Sequence, residues 1–217
     1  MKLFVCTCIL IFTAVYAHAQ LANTRWKTTI LLDAPKNVMF DFGKDLLTVY
    51  TIADSTLVEA MKFTDKDHVL TMVKISGQSD CDNTTPGRYR YTINNDTILV
   101  KMISDSCTDR SSVVDGSKWF RWKDYTAVHL DEAILQRYVG TYELDASHQV
   151  IVTLENGSLM MEAPNNNLPK MAIMPIGKSK FFLKLAGVQF DFVSDKQGKV
   201  VEMISHEEKD YHLKKVK

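Results

Sequence analysis

The sequence predicts an all-β protein made of two tandem small antiparallel β-barrels or half-barrels with short helices. Three observations carry this expectation. Apolar and polar residues alternate with period two through most of the chain, and a helical period is almost absent. Turn-forming clusters recur at intervals of roughly ten residues. A break at 123–130 is followed by a short helical stretch and a second run of the same alternation.

The elements follow in order. Residues 25–32 place Trp26, Thr28, Ile30 and Leu32 on one face, and Phe42-Gly43-Lys44-Asp45 reads as a hairpin turn. Residues 57–63 set Leu57, Glu59, Met61 and Phe63 against Val58, Ala60 and Lys62, with Asp65-Lys66-Asp67 as the next turn. Residues 68–75 and 88–93 alternate in the same way, and Asn94-Asn95-Asp96 turns the chain into 97–103. Residues 108–115 form a short helical turn before a strand at 118–122. Such a meander closes into a barrel or sandwich.

Residues 20–123 make the first unit and 124–133 a linker, in which Asp131 is placed to cap a helix over 132–138. The second unit, 134–217, carries expected strands at 140–144, 150–154, 159–163, 172–175, 181–185, 188–193, 200–205 and 210–216. Its turns are explicit at Glu155-Asn156-Gly157-Ser158, Ala186-Gly187 and Asp195-Lys196-Gln197-Gly198.

Residues 1–19 read as a secretory signal peptide. Lys2 precedes an apolar run of about 14 residues, and Ala17-His18-Ala19 sets small residues at the cleavage point before Gln20. No stretch is long and apolar enough for a transmembrane segment. The expected location is therefore outside the cytoplasm, periplasmic or extracellular. Loss of Lys2 leaves 25 basic residues against 26 acidic ones. A neutral chain has no general attraction for polyanions, which argues against nucleic acid as a partner. At 46% hydrophobic and 24% charged, the chain can bury a real core.

Cleavage also removes Cys6 and Cys8, leaving Cys81 and Cys107. In an oxidising compartment these are expected to form a disulfide. A separation of 26 offers neither a redox C-x-x-C nor a zinc knuckle.

The second unit resembles a known family. Tyr138-Val139-Gly140-Thr141-Tyr142-Glu143-Leu144 and Val150-Ile151-Val152-Thr153-Leu154-Glu155-Asn156-Gly157 look like a small lipocalin-like domain of bacterial secreted proteins. So do Met174-Pro175-Ile176, Phe181-Phe182, Val188-Gln189-Phe190-Asp191-Phe192 and Gly198-Lys199-Val200. That domain is often appended to serine hydrolases of the penicillin-binding-protein and β-lactamase type. The resemblance implies a fold and a Bacteroidetes-like bacterial setting, and it brings no active site. The first unit is more loosely similar to lipocalins, in which a Trp on the first strand packs under an Arg from the end of the barrel. Trp26 and Arg121 match those positions, with Arg110 as the second choice. The Gly usual two positions before the Trp is Thr24 here.

Motifs for chemistry are scarce. The chain has no G-x-S-x-G elbow, no S-x-x-K, no P-loop and no H-E-x-x-H, so neither an enzyme, a cofactor nor a metal is expected. Three polar groupings stand out. Asp80, Asp82, Asp105, Asp109 and Arg110 flank the two cysteines and could gather at one barrel end, either as oxygen ligands for calcium or as ion pairs fixing the loops. Arg88 and Arg90 share a strand face opposite Tyr89, Tyr91 and Ile93. Turned inward, the arginines would line a pocket for a carboxylate head group; the tyrosines are the more natural inward set. Glu59 and Lys62 pose the same question on their strand. His206 and His212 flank a turn and could meet across it. The expected role is binding, either of a small apolar or amphiphilic ligand or of a partner protein. The alternative is an accessory module acting on an envelope serine hydrolase.

Overall fold

The structure is a computed structural model that describes residues 20–217 apart from 167 and 208. The expected signal peptide lies outside the described residues. Among the described residues, two antiparallel sheets hold nearly all of the regular secondary structure.

Eight strands, β1 (Thr24–Leu31), β2 (Pro35–Phe42), β3 (Leu46–Thr51), β4 (Leu57–Lys66), β5 (Val69–Gly77), β6 (Gly87–Asn94), β7 (Thr97–Ser104) and β8 (Lys118–Arg121), form a closed up-and-down barrel. Closure is made by β8 on β1, where Arg121 pairs with Trp26. Helix α1 (Thr108–Val114) connects β7 to β8. Tight turns serve one end of the barrel. Asp67 and His68, both with positive φ, make the β4–β5 turn, one residue later than the composition indicated. The longer connections and α1 gather at the other end.

Period two explains most of the interior. Trp26, Thr28 and Ile30 point inward from β1, and Tyr89 and Tyr91 from β6. Phe40 stacks on Trp119 with ring centroids 4.4 Å apart, and Phe42 meets Phe63 edge-on at 5.0 Å. The tight-turn end is sealed. Leu21 is fully buried there, its N–H donates to Asp65 at 3.0 Å, and the Tyr91 hydroxyl donates to the same carboxylate at 2.8 Å. The Arg121 guanidinium lies 4.3 Å from the Trp26 ring centroid. Thr24 takes a useful part, because its hydroxyl accepts the Trp26 indole N–H at 2.7 Å. Arg121→Ala is expected to cost about 1 kcal/mol, the worth of an exposed cation–π contact, read as a lower urea midpoint with an unchanged slope.

The second sheet has nine strands: β9 (Gly140–Asp145), β10 (His148–Glu155), β11 (Ser158–Ala163), β12 (Leu168–Ala172), β13 (Met174–Pro175), β14 (Lys180–Leu183), β15 (Val188–Ser194), β16 (Val200–His206) and β17 (Asp210–Lys215). Their order is β12-β11-β10-β9-β17-β16-β15-β14-β13, so the two ends of the sheet are consecutive in the chain. Only Ile173 lies between them; it is buried, and its N–H donates to Leu159 at 2.9 Å. The strand expected at 172–175 therefore takes in only Ala172 at the end of β12, Ile173 and the whole of β13. The helix expected at 132–138 is a short α2 (Glu132–Leu135) followed by a 3-10 turn (Gln136–Tyr138). Asp131 caps through its backbone carbonyl, not its side chain. Tyr138 and Tyr142 pack with Phe181 and Phe192 at centroid separations of 4.7–5.4 Å.

The two halves touch. Lys27 on β1 donates from Nζ to the carbonyls of Ala186 and Gly187 at 3.0 and 2.7 Å, and burial lowers its pKa. Trp122 and Tyr125 both pack on Phe182. Gly187 has φ +63°, and a Cβ there would sit 2.6 Å from the Trp122 ring.

Among the described residues no helix is long and apolar enough to cross a membrane.

Candidate functional site

The barrel end that carries α1 holds a cavity of about 310 Å³. Its apolar wall comes from Ile30, Phe40, Val49, Val58, Met61 and Val114, residues of four strands and α1. Leu31, Asp33, Lys36 and Asp109, all exposed, stand around it. Two charged side chains in the wall, Arg110 and Glu59, are buried (6% and 8% exposed).

Arg110 reaches this position through α1. Positions 110, 113 and 114 share one helix face, and Val113 and Val114 also line the cavity. Its guanidinium grips Asp105, whose side chain is wholly buried, with Nε at 2.6 Å and Nη2 at 2.8 Å; Nη2 also donates to the Thr85 carbonyl at 3.1 Å. Asp105 further accepts the Tyr89 hydroxyl and, at 2.8 Å, the Cys107 N–H. Burial pushes the Asp105 carboxyl up, but bonds from Arg110, Tyr89 and Cys107 outweigh it and hold the group below its ordinary value. Burial and the neighbouring Asp105 raise the Tyr89 hydroxyl. Gly87 makes room for this cluster, since a Cβ there would lie 2.3 Å from Asp105 and 2.6 Å from Arg110. Among the described residues, Arg110 Nη1 is buried and has no hydrogen-bond partner.

Glu59 turns inward at an irregular stretch of β4, where the register shifts against both β3 and β5 and Val58 and Glu59 are buried in succession. Gly77, opposite it with φ +139°, has no side chain to collide with the carboxylate. Oε2 accepts the Ser79 N–H at 3.3 Å. Oε1 stands 3.6 Å from Lys74 Nζ, an ion-pair separation, and lacks a hydrogen-bond partner among the described residues. Lys74 itself donates to the Ser79 carbonyl and, at 3.3 Å, to its hydroxyl.

The disulfide Cys81–Cys107, with Cα atoms 5.4 Å apart, ties the β5–β6 loop to the residue before α1, and Cys81 lines the cavity. Tyr89 and Tyr91 point inward as core, each with its hydroxyl on a carboxylate. Arg88 and Arg90 are exposed, which corrects the notion of an arginine-lined interior. Two inward guanidiniums would face each other in a low dielectric, whereas two inward tyrosines bury ring area and satisfy their hydroxyls. Arg110 is likewise no partner for Trp26, because it sits at the opposite end of the barrel on Asp105.

The acidic residues near the cysteines do not converge on a cation. Asp82 is occupied by Thr84 and Thr85, Asp109 accepts the Asp80 N–H at 2.8 Å, and Asp105 belongs to Arg110. No group of three metal-ligating side chains occurs among the described residues. His206 and His212 do not meet either; the Nδ1 of each contacts a carboxylate of its own, Asp210 at 2.8 Å and Glu202 at 3.2 Å, and His206 Nε2 stands 3.6 Å from Asp191.

Sequence reasoning missed the cavity wall and the place of Arg110 in it. The available signal was an arginine sharing a helix face with two valines. A second, more apolar cavity of about 560 Å³ lies in the nine-stranded sheet, between Met161, Phe190, Met203 and Leu213 among others.

No curated protein matches this chain. Residues 125–217 are similar to a family described as a domain of unknown function (DUF3471). The matched stretch begins at Tyr125, whose hydroxyl donates to Gln189 at 2.9 Å, and it takes in the whole nine-stranded sheet while leaving the barrel with Glu59 and Arg110 outside.

Proposed function

We propose that this is an exported, non-enzymatic bacterial binding protein whose N-terminal, lipocalin-like barrel carries a small amphiphilic ligand. The cavity carries the reading. Its volume falls at the lower end of the range for small-molecule sites, and its wall is apolar with a few polar groups, the usual make-up of such pockets. Filled small barrels leave no such space. The predicted leader and the disulfide support export. The likeness of residues 125–217 to a domain that is often appended to envelope serine hydrolases, in bacteria of the Bacteroidetes type, supports a second reading as an accessory module to such an enzyme.

Native mass spectrometry of the protein purified from its own envelope tests this, before and after organic extraction. A small-molecule adduct lost on extraction is expected, and the stripped protein should then bind an apolar fluorescent probe. Val58→Phe, which fills the cavity from β4, should weaken the probe at least about tenfold, or by roughly 1.4 kcal/mol, while leaving the unfolding transition cooperative. A bare mass together with no probe binding would overturn the carrier reading and favour the accessory one.

A further inference from the structure

We propose that the outer wall of the barrel over β4–β7 docks on an anionic lipid surface. The chain as a whole is neutral, but its charge is unevenly placed. Strands β5, β6 and β7 contain no acidic residue. Five exposed cations stand on this stretch of wall: Lys62 and Lys66 from β4, Arg88 and Arg90 from β6, and Lys101 from β7. The register sets Lys66 beside Val69, Val69 beside Arg90 and Arg90 beside Lys101, one row across four strands. The two acidic residues of β4 are engaged elsewhere. Glu59 is buried, and Asp65 accepts the Leu21 N–H and the Tyr91 hydroxyl at the sealed end of the barrel. At the rim, Asp96 pairs with Arg121 and Lys123, Asp115 accepts the Met102 N–H at 2.8 Å, and Asp67 belongs to the β4–β5 turn.

None of the five cations makes an ion pair or a side-chain hydrogen bond among the described residues. Arg90 and Lys101 lie directly opposite each other, where Cβ atoms are about 5 Å apart and like charges destabilise a sheet. A polyanion laid against the wall relieves that repulsion. Exposed aliphatic side chains lie among the charges, Leu99 at 51% and Ile103 at 43%, and basic residues mixed with apolar ones hold a peripheral protein at an anionic bilayer. Other polyanions fit less well. Single strands of nucleic acid call for aromatic stacking platforms, and a protein partner calls for a large aromatic anchor. The aromatic residues of these four strands, Phe63, Tyr89 and Tyr91, are all buried in the core. An exported protein, as proposed above, meets phospholipid in the cell envelope, while the docking itself does not depend on a ligand in the barrel.

The test is co-sedimentation of the mature chain, disulfide intact, with vesicles of phosphatidylcholine alone or of equal parts phosphatidylcholine and phosphatidylglycerol. Binding is expected to the mixed vesicles only, and it should be lost at about 1 M salt, where charges are screened beyond about 3 Å. Each basic residue at such a surface is worth about fivefold in affinity, so Arg90→Gln with Lys101→Gln should weaken binding at least about tenfold. The pair of substitutions removes a repulsion, and the unfolding midpoint should not fall. Lys184→Gln with Lys196→Gln, exposed positions in the second half, makes the same change in net charge and should leave binding as it was. Equal loss in the two double variants would show diffuse attraction and overturn the assignment of this wall. So would equal binding to both kinds of vesicle, or none to either. Binding to polyglutamate but not to the mixed vesicles, lost in Arg90→Gln with Lys101→Gln, would replace the lipid by an acidic protein and overturn the proposal too. The apolar probe of the carrier test reports on the cavity alone, so the two readings fail separately.

Discussion

Arg110→Ala is expected to lower the unfolding free energy by about 3–5 kcal/mol, the usual cost of leaving a buried charge without its partner. Asp105 has no solvent-exposed side-chain surface, and Arg110 supplies two of its hydrogen bonds. After truncation the carboxylate keeps only the Tyr89 hydroxyl and the Cys107 N–H. Arg110→Lys should recover little, because an ammonium cannot reproduce the planar two-point grip. The pH dependence supplies an independent check. The folded Asp105 is held below its ordinary value, so in the parent protein its contribution is complete above the unfolded carboxylate pKa of about 3.9 and disappears as pH falls through the lower folded value. In Arg110→Ala burial acts with less opposition, the folded pKa rises, and destabilisation by acid should begin at higher pH. Urea unfolding followed by tryptophan emission between neutral and mildly acidic pH measures both effects. Equal stability of the variant and the parent at neutral pH would show that the Asp105 cluster contributes nothing.

Replacing both Cys81 and Cys107 by Ser should cost about 3.5 kcal/mol, the chain-entropy value for closing a loop of 26 residues. The loss should fall on the barrel more than on the nine-stranded sheet, since both cysteines belong to connections at the cavity end. Amide exchange should therefore rise first in the β5–β6 loop and α1. Intact-mass measurement of the parent should give a value 2 Da below the fully reduced chain, the two hydrogens lost in forming one disulfide. A fully reduced mass for protein isolated from its own envelope would remove one support for export.

How much of this was legible in the residues depends on distance along the chain. Period two and the turn clusters are local, and they gave most strands to within a residue or two. Strands β2 and β3 have no counterpart among the expected strands: in β2, Val38, Met39 and Phe40 are buried in succession, which hides the alternation, whereas β3 does alternate, with Leu47, Val49 and Thr51 buried. The expected strand at 172–175 runs across the break at Ile173 because that residue is itself apolar and buried, and it leaves 168–171, the rest of β12, unassigned. The alternation left open which way Glu59 points, and the irregular register of β4, where Val58 and Glu59 are buried in succession, turns it inward. Which end of the barrel Arg110 occupies is not local. It depends on the packing of α1 against strands tens of residues away, and a cavity is a shortfall of side-chain volume shared among several strands.

The continuity of the nine-stranded sheet through Ile173 bears on how copies of the protein behave in company. An open sheet offers unpaired backbone groups at its two flanks, a template for strand addition by another molecule and the usual start of aggregation. Here the flanking strands are only five and two residues long. Pro169 and Pro175 lack the N–H that an incoming strand would use, Lys170 sets a charge on one flank, and Val128 from the linker already donates to the Pro175 carbonyl at 2.9 Å. A neighbouring chain is thus denied both the length and the donors needed to extend the sheet, so the protein should remain dispersed at concentrations where an ordinary open sheet would begin to polymerise.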